Sequence, residues 1–181
     1  MLKIHVPKGR FFKNQTNEFF YTEETDLELE HSLISLSKWE SKWHKPFLDK
    51  KEKTEEELLD YIRCMTISKN VDPKVYYAIE EDTLIQIKAY IDDPMTATWF
   101  AEDKSRRRGP QEVITAEIIY YWMISQNIPV QFEKWHLNRL LTLIRVCGIK
   151  NAPPKKMKRS QIHQQNHSLN AARRAAYHSR G

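Results

Sequence analysis

Apolar and polar residues alternate over Leu2–Val6, with Leu2, Ile4 and Val6 set against Lys3 and His5, the period of a half-buried strand. Pro7 to Gly9 interrupts the alternation, and Asn14–Asn17 is a polar turn. The aromatic, β-prone segment Glu18–Thr22 is expected to fold back on the first strand as a hairpin, and Leu27 and Leu29 alternate again with Glu28 and Glu30. From His31 the period changes to helical. Leu33, Leu36 and Glu40, and Ser32, Trp39 and Trp43, recur at helix spacings until Pro46. Thr54-Glu55-Glu56-Glu57 is a capping box opening a helix to about Thr66, with Leu58, Ile62 and Met65 inward. Asp72-Pro73 opens a short helix through Ile79, and Glu81–Ile91 is another. Thr96–Phe100 is short and β-prone. A further helix is expected over Gln111–Gln126. Its centre, Ile118–Ile124, is apolar on every face, which predicts a central place in the core.

Leu137, Leu140, Leu141 and Ile144 then fall at i, i+3, i+4 and i+7, the most regular helical stripe of the chain. Gly148 stands where a left-handed C-cap needs no Cβ, and Pro153-Pro154 bar further helix. The pattern predicts a mainly α (α+β) fold. A β element of two or three strands occupies residues 1–30, and a bundle of about five or six helices occupies residues 31–149. Residues 150–181 form a tail whose final helix, Gln161–His178 capped by Ser160, has a thin apolar face and is marginal by itself.

Charge sharpens that boundary. Residues 150–181 carry Lys150, Lys155, Lys156, Lys158, Arg159, Arg173, Arg174 and Arg180 and no acid, a net of +8, while the first 149 residues hold 21 basic and 24 acidic residues, a net of −3. The whole chain is therefore +5. A tail of this kind suits an anionic partner: nucleic acid, an acidic protein surface (including the body of another copy, in a homo-oligomer) or anionic lipid. Arg106, Arg107 and Arg108 form a second basic spot in a predicted loop. Trp39 and Trp43, flanked by lysines, are the candidate hot-spot aromatics.

Candidate chemistry is sparse. His163 and His167 share the four-residue spacing of zinc metalloproteases, but Gln164 stands where the general-base Glu belongs and the tail holds no acid for a third ligand. No Gly-rich phosphate loop, nucleophile elbow or C-x-x-C motif is present, and the acidic pairs fall at turns and helix caps. Cys64 and Cys147 read as isolated thiols of a reducing compartment. The first residues lack the apolar core of a secretory signal, and no stretch has the ~18 apolar residues of a membrane span, so a soluble, intracellular, non-enzymatic protein without cofactor is expected.

Two segments, LELEHSLISLSKWESKWHKPFL and IIYYWMISQNIPVQFEKWHLNRLLTLIRVCGIKNAPPKKM, together with TEEELLDYIRCMT, NVDPKVYY and DPMTATWF, resemble proteins of siphovirus (long-tailed bacteriophage) tail modules labelled tail assembly chaperones. The resemblance implies a protein without catalytic residues that binds the tape measure protein in the host bacterial cytoplasm. It also implies recruitment of tail tube subunits during tail morphogenesis and absence from the mature virion. The alternative from the same resemblance is a structural virion component, such as a head–tail connector or tail completion protein, whose basic tail touches DNA or a neighbouring subunit.

Overall fold

The structure, a computed structural model, describes residues 1–13, 18–100, 113–153 and 159–177. It is mainly helical, with a small β element at the N-terminus. The chain divides into two compact units, Met1–Ile149 and Lys150–Gly181.

Four strands, rather than two or three, make the β element: β1 (Leu2–Val6), β2 (Gly9–Lys13), β3 (Glu18–Thr22) and β4 (Thr25–Leu29). The expected pairing of Glu18–Thr22 with the first strand is replaced by a nested arrangement. β1 pairs antiparallel with β4, and β2 with β3. Every pair, from Leu2↔Leu29 to Lys13↔Glu18, has partner numbers that sum to 31. The two ladders are thus one long ribbon in a single register. Its hydrogen bonding is interrupted where Pro7, which lacks an N–H, enters the first arm. Lys8 and Glu23 face each other across that break and pair at 2.8 Å. The base of the ribbon is core: Ile4, Val6, Leu27 and Leu29 are buried.

α1 (Leu33–Trp43) starts at Ser32, whose hydroxyl accepts from the Ser35 N–H, and stops at His44 in the left-handed region (φ 53°). α2 (Glu55–Met65) has the expected capping box, with Thr54 accepting from the Glu57 N–H and Glu57 returning to the Thr54 N–H. It buries Tyr61, Ile62 and Met65, but Leu58 faces solvent. Asp72 caps a 3-10 turn over Pro73–Ala78, and α3 covers Glu81–Asp92. Thr96–Phe100 is not a strand.

α4 (Ala116–Ser125) differs most from expectation. It is a surface helix, buried along Ala116, Ile119 and Met123, with Tyr121 and Ile124 about 70% exposed (67% and 71%). Apolar side chains on all faces do not supply neighbours on all faces, and among the described residues α4 is buried on one. The expected start of this helix at Gln111 lies outside the described residues. α5 (Leu137–Asn151) buries the predicted stripe at Leu137, Leu140 and Ile144. It does not end at Gly148. That residue is interior to the helix, no glycine among the described residues has positive φ, and Pro153 stops the helix three residues later than expected. A Cβ at Gly148 would meet only the Gln126 side-chain amide nitrogen, at an ordinary 3.7 Å. Gly148→Ala is therefore expected to stabilise the fold by about 0.5–1 kcal/mol, read as an upward shift of the urea midpoint.

The first unit holds two hydrophobic clusters. One joins the ribbon base, Trp39, α2, the 3-10 turn and α3. The other joins Leu33 and Leu36 of α1 with Ile119, Met123, Leu137, Leu140 and Ile144. Between them runs a polar seam. The His31 imidazole and the Tyr61 hydroxyl lie 2.6 Å apart, the His31 and His136 rings are 5.1 Å apart, and the His136 Nε2 bonds the Tyr90 carbonyl at 3.0 Å. In the second unit α6 covers Arg159–Tyr177, starting at Arg159 rather than after Ser160.

Candidate interaction surfaces

The outer half of the ribbon carries the most concentrated aromatic surface. Alternation along two paired strands puts Phe11 and Phe20 on one face and Arg10, Phe12, Phe19 and Tyr21 on the other. The inner face is anchored: Phe11 stacks on Phe20 at 5.8 Å, and Phe20 meets Tyr77 edge-on at 6.4 Å. The outer face is open. Phe12 and Phe19, directly paired across the ladder with ring centroids 4.9 Å apart, are 47% and 58% exposed, and Tyr21 is 69% exposed. The Arg10 guanidinium lies 4.0 Å from the Phe19 ring centroid and 5.9 Å from that of Tyr21. A cation over an aromatic face holds the rings upright without hiding them. The result is an open aromatic patch on a ribbon whose base is buried in the core.

Trp39 and Trp43 divide. Trp39 is 1% exposed and its indole N–H donates to the Glu57 carbonyl, so it is a core residue and not a contact surface. Trp43 is half-buried, stacks on Trp39 at 6.0 Å and donates to Asp60 Oδ2 at 2.8 Å. Lys42 and Lys45, paired with Asp60 and Glu57, stand 5.8 and 5.7 Å from its ring. The edge of Trp43 left open is small and already ringed by satisfied charges.

In the second unit Arg159, Arg173 and Arg174 lie on α6, and every described side chain of that helix is exposed. Arg106, Arg107, Arg108, Lys155, Lys156 and Lys158 lie outside the described residues. His163 and His167 are both exposed on α6, and no group of three potential metal ligands occurs among the described residues.

A cleft of about 400 Å³ beside α1 is lined by Glu30, Ser32, Ser35, Lys38, Cys64 and Lys134, among others. Burial pushes the Cys64 thiol up to about 11, so the thiolate needed for nucleophilic attack is scarce at neutral pH. The Ser35 hydroxyl is occupied in the cap of α1, donating to the Ser32 carbonyl at 2.7 Å. Neither residue is poised for covalent chemistry. No helix among the described residues is long and apolar enough to cross a membrane.

Comparison with protein-family models, with curated proteins and with solved structures gives no match. The functional reading of this chain therefore rests on its surfaces. The aromatic face of the ribbon is not among the surfaces expected from the sequence. Its signal was present: Phe11-Phe12-Lys13 and Glu18-Phe19-Phe20 mirror each other about the polar Asn14–Asn17, the composition of a hairpin with aromatic cross-strand pairs.

Proposed function

We propose that this chain is a non-enzymatic assembly factor of the kind labelled phage tail assembly chaperone. Its client is the tape measure protein, held on the outer face of the ribbon while tail tube subunits are recruited. The observation that carries this reading is the open patch of Phe12, Phe19 and Tyr21 braced by Arg10. Aromatic residues and arginine dominate binding hot spots, and here three exposed rings and an arginine share one face of the ribbon. A long helical client presents apolar stripes at i, i+3, i+4 and i+7, which such a patch can cover before the client is sealed inside a tail. The resemblance of the Leu27-to-Leu48 and Ile118–Met157 segments to tail-module proteins implies the client.

The test is recovery of tape measure protein from infected cells by the tagged full chain. The comparison is with a variant carrying Phe12→Thr, Phe19→Thr and Tyr21→Thr, which keeps β propensity and removes the rings. Recovery is expected to fall at least tenfold, since loss of a single hot spot typically costs about 2 kcal/mol or more. Equal recovery by the variant would remove the ribbon from the mechanism. Mass spectrometry of purified virions should lack this chain; abundant peptides would instead favour a structural part of the head–tail junction.

A further inference from the structure

α6 has a second composition pattern that client binding does not use. At 3.6 residues per turn, Arg159, His163, Asn166, Asn170, Arg173 and Arg174 fall within about a third of the helix circumference. The opposite side is uncharged, with Gln164, Ser168, Ala171, Ala172 and Ala175. The charges sit at the two ends of the face, with Arg159 roughly 21 Å from Arg173 at 1.5 Å per residue. Between them stand side chains that both donate and accept hydrogen bonds. Every described side chain of α6 is solvent-exposed.

We propose that this face of α6 binds duplex DNA, lying in the major groove with the terminal arginines on the phosphates of its two rims and Asn166, Asn170 and His163 toward the base edges. Guanidinium forks match phosphate oxygens in a bidentate way, and asparagine and histidine are groups that reach base edges. The major groove of B-form DNA, about 12 Å wide, admits an α-helix; that of A-form RNA does not.

Charge density decides among anionic partners. A duplex presents one negative charge per ~1.7 Å, roughly 17 along the ~29 Å of a 19-residue helix. The acidic body of another copy offers a net of only −3. An anionic membrane would need a broad face of large apolar residues to seat the helix, and α6 has Ile162 and Leu169 beside its alanines, with Tyr177 at its far end and on the arginine side.

The experiment is fluorescence anisotropy of the full chain on a labelled 20-base-pair mixed-sequence duplex at 50 and 200 mM NaCl. Binding at 50 mM is expected to weaken about 40-fold at 200 mM, the change for roughly three neutralised phosphates, one for each arginine of the face. A variant with Arg159→Gln, Arg173→Gln and Arg174→Gln retains helix propensity. It should show a salt slope shallower by roughly 0.9 for each lost phosphate contact. Circular dichroism checks that its helix content is kept. Absence of binding at 50 mM, or an unchanged slope in the variant, would overturn the proposal. So would polyglutamate competing as well as unlabelled duplex, which would point to an acidic protein surface. Tighter binding to an RNA duplex of the same length would exclude the major-groove seat.

Discussion

Replacing Glu40 by alanine is expected to lower the unfolding free energy by about 3 kcal/mol, and the reason lies 76 residues away in sequence. Glu40 is 7% exposed. One carboxylate oxygen accepts the Phe47 N–H at 2.9 Å, just beyond the end of α1, and the other accepts the Ala116 N–H at 2.7 Å, in the first turn of α4. Thr115, the N-cap of α4, makes no side-chain cap bond, so Glu40 performs that service from another helix. A carboxylate there also meets the positive end of the α4 dipole. Alanine would leave two backbone donors without their acceptor, each worth 1–3 kcal/mol if buried. Burial raises the Glu40 carboxyl above its ordinary pKa, with the two N–H bonds pulling it back, so part of the gain is already offset by desolvation. Glu40→Gln, which keeps one acceptor oxygen and loses the charge, should cost roughly half as much. Urea denaturation at pH 7 measures both; an alanine midpoint equal to wild type would show that water replaces the carboxylate at no cost.

Glu40 also marks where sequence reasoning stops. Its helical spacing with Leu33 and Leu36 placed it on the inner face of α1, and a buried carboxylate on an apolar face asks for a partner. Which N–H groups would answer depends on packing between distant segments, and no local pattern encodes that. The same limit explains α4. Its composition fixed that it would be a helix with apolar faces to bury, but the number of neighbours comes from the fold. At Gly148 two local stop signals competed. The glycine was permissive rather than obligatory, and Pro153 alone ended α5, since a proline forbids the helical conformation of the residue before it. The capping boxes at Ser32 and Thr54 contrast with this: Thr54 was legible because both partners lie within four residues. The ribbon is the intermediate case. Its constant register was implicit in the mirrored phenylalanines. Reading Pro7–Gly9 as the end of a strand, instead of an interruption in a longer one, concealed the second ladder and with it the aromatic face.

Lowering the pH from 7 to 5 is expected to remove about 2 kcal/mol of stability through His31 alone. The ring is 2% exposed, and burial, reinforced by the neighbouring His136, lowers its pKa from 6.5 to about 3. The folded protein therefore keeps His31 neutral, able to accept from the Tyr61 phenol, which burial holds protonated well above neutral pH. In the unfolded chain the imidazole regains its ordinary affinity and takes up a proton as the pH falls below about 6.5. The unfolded state then binds more protons than the folded state, so stability declines with falling pH from 6.5 and levels off only below about 3. His136 acts in the same direction, its pKa lowered by burial against the raising pull of its bond to the Tyr90 carbonyl and of Glu30 and Asp93. Glu40 opposes them: its raised pKa means that proton uptake there favours the folded state on acidification. The two senses are separable. His31→Gln should shrink the loss between pH 7 and pH 5 by about 2 kcal/mol, whatever it does to stability at pH 7, because it removes the titrating group itself. If wild type and His31→Gln lose the same stability between those pH values in urea denaturation, the polar seam between the two clusters is hydrated enough to admit a charged imidazole. The acid sensitivity of the fold would then lie elsewhere.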